Sequence, residues 1–371
     1  MLMKDNLKKT AHIVYPFDLS KNINPWSIGN NIYKALKNNF NIKLYNWTSL
    51  AKINPNNGDI LIGHAHSNPY TIFRRSLKSK KWKKKILIQP YNEDPLQISY
   101  LYDVVPQCDF FLAICGKYWF KRLPTSNFKS WKKKMFQLDL GLDRNQYPFI
   151  KKKFNSKNKR KFIYIGNDYA YNNFAKNINF LKKICDKVGK SQFSTAGNRS
   201  LEGVKHFGWL DLQNKKSIKI IKNHDFLIQT SKFDANPTVV LESMSWGLIP
   251  VITKECGYPN IKSIMNISLN DFSKTVKTIN RLQKIDTKIL LKYQKKNNVY
   301  LKRKHEWSIF RKKIKNIVLK KSTTSPIKYT PNEIKFFNKS ILKSPNYFLN
   351  YDMLFLVLKS NIKILLNFFL K

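Results

Sequence analysis

Residues Phe226 to Pro259 read FLIQTSKFDANPTVVLESMSWGLIPVITKECGYP. The stretch opens with an apolar run that ends at Thr230 and Ser231, the pattern of a buried strand. A polar loop carrying Asp234 follows. Asn236 suits an N-cap and Pro237 a first helical position, so a helix is expected from there to Trp246. Gly247 fits the left-handed residue just past a helix end. Ile249 to Thr253 then reads as a second strand. Strand, helix and strand in this order form a βαβ unit, which implies parallel strands. The free backbone N–H groups at such a helix start make an anion site. With Val240, Leu241 and Met244 on the apolar stripe, Glu242 projects beside Thr238 and Ser245, where an acid can accept hydrogen bonds from sugar hydroxyls.

The same alternation extends in both directions. Upstream, Lys161–Ile165 is a strand ending at Gly166, Asn173–Val188 a helix, and Gln192–Ala196 and Val204–Phe207 short strands. A first series occupies the N-terminal part. Its strands are Ala11–Phe17, Asn41–Trp47, Asp59–Gly63, Lys85–Pro90, Asp109–Cys115 and Met135–Leu140. Ile28, Ile32, Leu36 and Phe40 place a helix between the first two. The run Phe110–Cys115 suits a parallel strand covered on both faces. The fold expected is α/β, with two facing Rossmann-like doubly wound domains and a helical C-terminal tail. Residues 1–150 would form the first domain, the basic stretch 151–161 a linker and 162–300 the second domain. Residues 301–321 would be a helix returning to the first domain, and 322–371 a basic amphipathic tail. Ligands of open α/β sheets sit beyond the carboxyl ends of the strands, so the site is expected in the cleft between the domains.

The chain has 371 residues, enough for about two domains, and 42% hydrophobic content rules out a mainly disordered chain. Its 69 Lys and Arg against 22 acidic residues give a formal charge of +47. Such a charge attracts polyanions, though lysines spread along the whole chain also fit solvated faces. No uncharged apolar run of 18 residues occurs and no signal-peptide core precedes the first strand, so a cytoplasmic location is expected. Cys108, Cys115, Cys185 and Cys256 match no zinc spacing and read as buried thiols of a reducing compartment. The phosphate loop, the dinucleotide Gly-rich fingerprint, the zinc-protease helix and the serine-esterase elbow are all absent. P-loop nucleotide hydrolysis and those hydrolytic chemistries are thereby disfavoured.

Asp234, seven residues and then Glu242, set around Asn-Pro-Thr and followed by Gly and Pro-Val, resembles the hallmark of retaining nucleotide-sugar glycosyltransferases of family 4, whose architecture is GT-B. The usual first acid is Glu, so Asp234 shortens the reach. The resemblance implies that Asp234 contacts the donor sugar and Glu242 the ribose, with the backbone of Asn236, Thr238 and Val239 along sugar and phosphates. Gly166 and Asn167 resemble the end of the first donor-domain strand, Asn167 replacing an arginine. Lys176 is by resemblance the diphosphate clamp, and Phe207-Gly208 the strand end beside the base. Leu140–Arg144 resembles the close of the N-domain, and Glu306-Trp307 with Phe310 the final helix.

On the acceptor side the family's histidine is missing from Ile86–Asn92, where Gln89 stands. His64 and His66, at an earlier strand end, are candidates to face the same cleft, His64 for a catalytic role. Asp18 and Ser27 in the first βα loop are candidate acceptor contacts. The implied reaction moves a sugar from a nucleotide-sugar donor to a hydroxyl of a cell-envelope glycan or glycolipid, with retention and with neither metal nor cofactor. In Tyr351–Lys371, lysines recur on one helical stripe opposite Leu354, Leu358, Ile362, Leu365 and Phe369, which suits either an anionic membrane interface that brings a lipid-linked acceptor or docking over apolar surface of the protein itself. The rival readings are a basic nucleic-acid-binding protein and a catalytically inactive scaffold. The chain shows no RRM, OB or helix-turn-helix signature, so nucleic acid is not the expected partner.

Overall fold

The computed structural model describes residues 8–17, 27–167, 173–211, 214–321 and 326–343. Its strands are β1 (Thr10–Tyr15), β2 (Asn41–Asn46), β3 (Ile60–Gly63), β4 (Lys84–Pro90), β5 (Phe110–Ile114), β6 (Met135–Leu138), β7 (Phe162–Ile165), β8 (Phe193–Ala196), β9 (Lys205–His206), β10 (Phe226–Gln229), β11 (Ile249–Thr253) and β12 (Met265–Ile267). Its α-helices are α1 (Ile28–Leu36), α2 (Ile72–Ser76), α3 (Pro95–Ile98), α4 (Gly116–Arg122), α5 (Asn173–Lys176), α6 (Ile178–Val188), α7 (Lys215–Lys222), α8 (Thr238–Trp246), α9 (Phe272–Lys284), α10 (Thr287–Lys304), α11 (Trp307–Leu319) and α12 (Pro331–Lys343).

The described residues form two compact units. One takes the chain up to Ile114, Lys121–Leu138 and the part from Ser308 on; the other takes Cys115–Phe120 and Asp139–Trp307. Each holds one six-stranded parallel sheet, ordered β2-β1-β3-β4-β5-β6 in the first and β12-β11-β10-β7-β8-β9 in the second. Read from its other edge, the second sheet is the doubly wound order 3-2-1-4-5-6, with its topological switch between β7 and β10.

In the first unit β5 is buried at every position, as its unbroken apolar run demands. In the second, Phe193, Phe162 and Phe226 stand in register on β8, β7 and β10. Their rings stack at 5.2 and 4.7 Å, each such pair adding about 0.5–1.5 kcal/mol beyond its buried area.

Three expectations change. The basic stretch 151–161 is no free linker but part of the second unit. Lys151 is buried and pairs with buried Asp225 at 3.0 Å, and buried Arg160 donates to Ile285 O and Thr287 Oγ1. Charge alone misled here, because carboxylate and carbonyl partners far along the chain compensate these cations. The segment 326–343, the first part of the expected tail, packs within the first unit. Phe337 stacks on Trp131 at 6.0 Å, and buried Glu333 accepts from Ser130 N and Oγ at 3.0 and 2.7 Å. Tyr351–Lys371, and with them the membrane helix, lie outside the described residues. The helix read as Asn173–Val188 breaks at Asn177, whose φ of +55° is left-handed, a conformation Asn tolerates well.

No helix among the described residues is long and apolar enough to cross a membrane. The four cysteines are buried thiols, none in a disulfide.

Candidate functional site

At the carboxyl ends of β7, β8 and β10 lies a cavity of about 430 Å³. It is lined on one side by Gly166, Asn167, Lys176 and Gly197, and on the other by Thr238, Val239 and Glu242 of α8, with Tyr147 and Trp209 alongside. This is the switch point of the sheet, where open α/β folds bind ligands.

Each element has a local reason to be there. Gln229, the last residue of β10, donates to Ile165 O at 2.7 Å and fixes the two strand ends together. The loop after it is tied to α5, since Lys232 N donates to Ala175 O at 2.7 Å. Gly197 has φ +119°, and a Cβ there would lie 2.0 Å from Gly166 O, so only glycine lets the two loops pass this closely. Gly247, with φ +95°, closes α8 as expected. The start of α8 differs from expectation. Pro237 is the N-cap, and Asn236 is buried with a left-handed φ of +66° and makes no capping bond.

Glu242 is half-buried. Loss of hydration pushes its carboxyl up to about 7, against the opposing pull of hydrogen bonds from Tyr147 and Thr238. Lys176 Nζ lies 2.5 Å from Asp234 Oδ2, and Ser231 Oγ donates to the same oxygen at 3.2 Å. Trp119 Nε1 donates to the Asp234 carbonyl at 2.9 Å and so holds the acid's backbone in place.

The cavity thus gathers Gly166, Asn167, Lys176, Thr238, Val239 and Glu242, while Asp234 reaches it through Lys176. Phe207 lines a different cavity, and Gly208, with φ +64°, only turns the chain toward Trp209. Sequence reading passed over Tyr147, Gly197 and Trp209. Trp209 follows the quoted Phe207-Gly208 directly, and its 75% exposure marks an aromatic kept at a cavity rim. Tyr147 carries no local signal.

The candidates in the first unit are packed. His64 Nδ1 donates to Ala65 O at 2.8 Å, its ring meets Tyr15 and Trp47 edge-on, and burial drops its pKa to about 3. His66 is 1% exposed, accepts from Asn68 N, and falls to about 4 by burial. Gln89 is buried, its amide bonded to Tyr100 Oη at 2.6 Å. Ser27 caps α1, accepting from Asn30 N at 3.1 Å. Asp18 lies outside the described residues. Among the described residues, no group of three or more His, Cys, Asp or Glu side chains could hold a metal ion.

Comparison with solved structures decides the architecture. An alpha-glucosyltransferase solved with UDP and a 13-mer DNA containing a HMU base superposes with a TM-score of 0.56 over 84% of this chain and 99% of its own, at 13% identity. WaaG, a glycosyltransferase involved in lipopolysaccharide biosynthesis, gives 0.53 over 84% and 100%, at 10% identity. The chain has the GT-B fold. TarM gives 0.52 at 12% identity over 79% of this chain, which spans 58% of the TarM chain. No protein-family model matches this GT-B chain, and no curated protein sequence matches it significantly.

Proposed function

We propose that this GT-B protein is a metal-independent glycosyltransferase that moves a sugar from a nucleotide-sugar donor to a hydroxyl acceptor with retention of configuration. The observation that carries the reading is the single cavity at the β7–β10 switch point, where Lys176, the start of α8 and Glu242 line one space. Glu242 accepts hydrogen bonds from the ribose and Trp209 offers its ring to the base. Lys176 and the amides of Thr238 and Val239 offset charge on the diphosphate. The bond from the anomeric carbon to phosphate oxygen breaks as the bond to the acceptor oxygen forms on the same face, and the acceptor proton passes to the departing phosphate. Asp234 positions Lys176 and stands beside the sugar. His64 is held by Ala65 O and by the Tyr15 and Trp47 rings, and the proposal assigns it no proton transfer.

The acceptor proposed is a cell-envelope glycan or glycolipid, reached from the cytoplasm at the inner face of the membrane. WaaG's involvement in lipopolysaccharide biosynthesis supports that class. A nucleic-acid acceptor is the second reading, favoured by the +47 charge and by the DNA bound to the alpha-glucosyltransferase. Transfer of labelled sugar to glycan or to duplex DNA separates the two.

A thermal-shift panel of UDP-, GDP-, ADP- and CMP-sugars tests the core of the proposal. One donor at a hundred times its Kd should add about 2.7 kcal/mol of stability by mass action. A folded protein that none of them stabilises would refute it. Lys176→Ala should weaken nucleoside diphosphate binding far more than nucleoside binding, because the lost partner is phosphate. Equal losses for both ligands would move the clamp elsewhere.

A further inference from the structure

A second cavity, of about 420 Å³, lies in the same unit at the opposite ends of the strands. Lys161 immediately precedes β7, Lys190 and Ser191 precede β8, Lys205 opens β9, and Asn223 and His224 precede β10. One face of α7 closes it, with Lys216, Lys219, Ile220 and Asn223 at helical spacing. Five lysines therefore line one concavity, and no Asp or Glu lines it. Of the acids near these residues in the chain, Asp225 is held by Lys151 at 3.0 Å, Glu202 pairs with Lys182 at 3.8 Å, and Asp186 pairs with Lys190 at 3.3 Å and so offsets one of the five charges. Lys161, Lys205, Lys216 and Lys219 have no ion-pair partner among the described residues, and Lys205 lies over the Phe207 ring at 5.2 Å.

His224 adds no charge. Burial lowers its pKa to about 4, its Nδ1 donates to Ile220 O at 2.7 Å, and its Nε2 accepts from Ser194 Oγ at 3.1 Å. The floor is apolar, formed by Phe193 and Phe207. Cations of one sign in a concave site with low-dielectric walls focus the field and concentrate anions. Flexible ammonium groups suit a ligand whose charge sits on several tetrahedral oxyanions.

We propose that this cavity is a second anion site, separate from the donor cavity, which takes the phosphate groups of a ligand. The source is either a soluble phosphorylated compound or a phospholipid headgroup.

Isothermal titration of the full chain with inorganic tripolyphosphate at about 150 mM salt is the first arm. The charge reversal Lys205→Glu with Lys219→Glu should weaken binding by about tenfold or more. Both residues are exposed, so the fold should persist. Reversing the exposed Lys274 and Lys277 of α9 should change binding by much less, and the thermal response to UDP should stay as in the unaltered protein. The second arm uses phosphatidylcholine vesicles with and without phosphatidic acid. Binding to phosphatidic acid alone, lost with the same pair, keeps the site and names the headgroup as its source. Equal loss from both lysine pairs, or tripolyphosphate binding abolished by Lys176→Ala and untouched by the Lys205 and Lys219 reversals, overturns the proposal. So does binding of duplex DNA with no binding of tripolyphosphate or phosphatidic acid. A chain that binds tripolyphosphate here and ignores every nucleotide sugar would refute the transferase reading and leave this site standing.

Discussion

Asp225→Ala is expected to destabilise the second unit by about 3–5 kcal/mol, the loss that follows when one partner of a buried ion pair is removed. Asp225 is fully buried at the start of β10. It accepts from Lys151 Nζ at 3.0 Å, from Asn155 N and Nδ2 at 2.8 and 2.7 Å, and from Lys161 N at 3.0 Å. Deleting the carboxylate leaves the Lys151 ammonium desolvated and two backbone N–H groups without an acceptor. Against a typical total stability of about 5–15 kcal/mol, such a loss can unfold the protein. Lys151→Met in the Asp225→Ala background should recover part of it, since the stranded charge is then gone. Urea denaturation of the single and double variants checks this. A loss under about 1 kcal/mol for Asp225→Ala would show that water reaches the pair and that 151–161 is not anchored as described.

Glu242→Ala should weaken donor binding by more than tenfold, from about 1.5–3 kcal/mol of lost hydrogen bonding to a charged group. The pH dependence carries more information. Burial holds the Glu242 pKa near 7, above the ordinary carboxylate range, so the free protein keeps a proton there at mildly acidic pH. Ribose hydroxyls need the ionised form as acceptor. Donor affinity should therefore fall as pH drops below about 7 and level off above it, with a proton released on binding near pH 6.5. Glu242→Gln should flatten this profile. The folded pKa exceeds the unfolded one, so the native state binds the extra proton and stability declines as pH rises from about 4.5 to 7. Glu242→Gln should for that reason raise the thermal stability of the free protein at pH 8 while weakening the donor. Calorimetry in two buffers of different ionisation enthalpy measures the proton release. A flat affinity profile from pH 5.5 to 8 would remove Glu242 from the ribose.

Much of the architecture was legible along the chain. Unbroken apolar runs such as Phe110–Ile114 and Ile249–Thr253 are strands because a parallel sheet covered on both faces asks only for apolar side chains, which local sequence displays. Helix α8 ends at Trp246 before Gly247 as read, and its start falls one residue after the expected Pro237, because proline and glycine mark helix ends within local sequence. The acid pair Asp234 and Glu242 was visible for a similar reason, as its spacing is carried by one continuous segment.

What the sequence by itself determined is therefore the alternation of strands and helices, the two βα series and the segment that builds α8. Tertiary structure alone decided the rest. It brought Tyr147 against Glu242 from nearly a hundred residues away, set Gly197 against the Gly166 carbonyl, and gave Lys176 to Asp234. It tied the linker stretch 151–161 to the second unit through two buried cations, Lys151 and Arg160. It separated lysines that look alike in the chain: Lys151, sealed against a carboxylate, and Lys161, Lys205, Lys216 and Lys219, which line one cavity without an ion-pair partner among the described residues. The physical reason is common to all of these. Periodicity and capping act within a few residues and leave their mark on local sequence. The fate of a charge depends on burial and on partners supplied from far along the chain, and only the folded arrangement of the sheet brings those partners together.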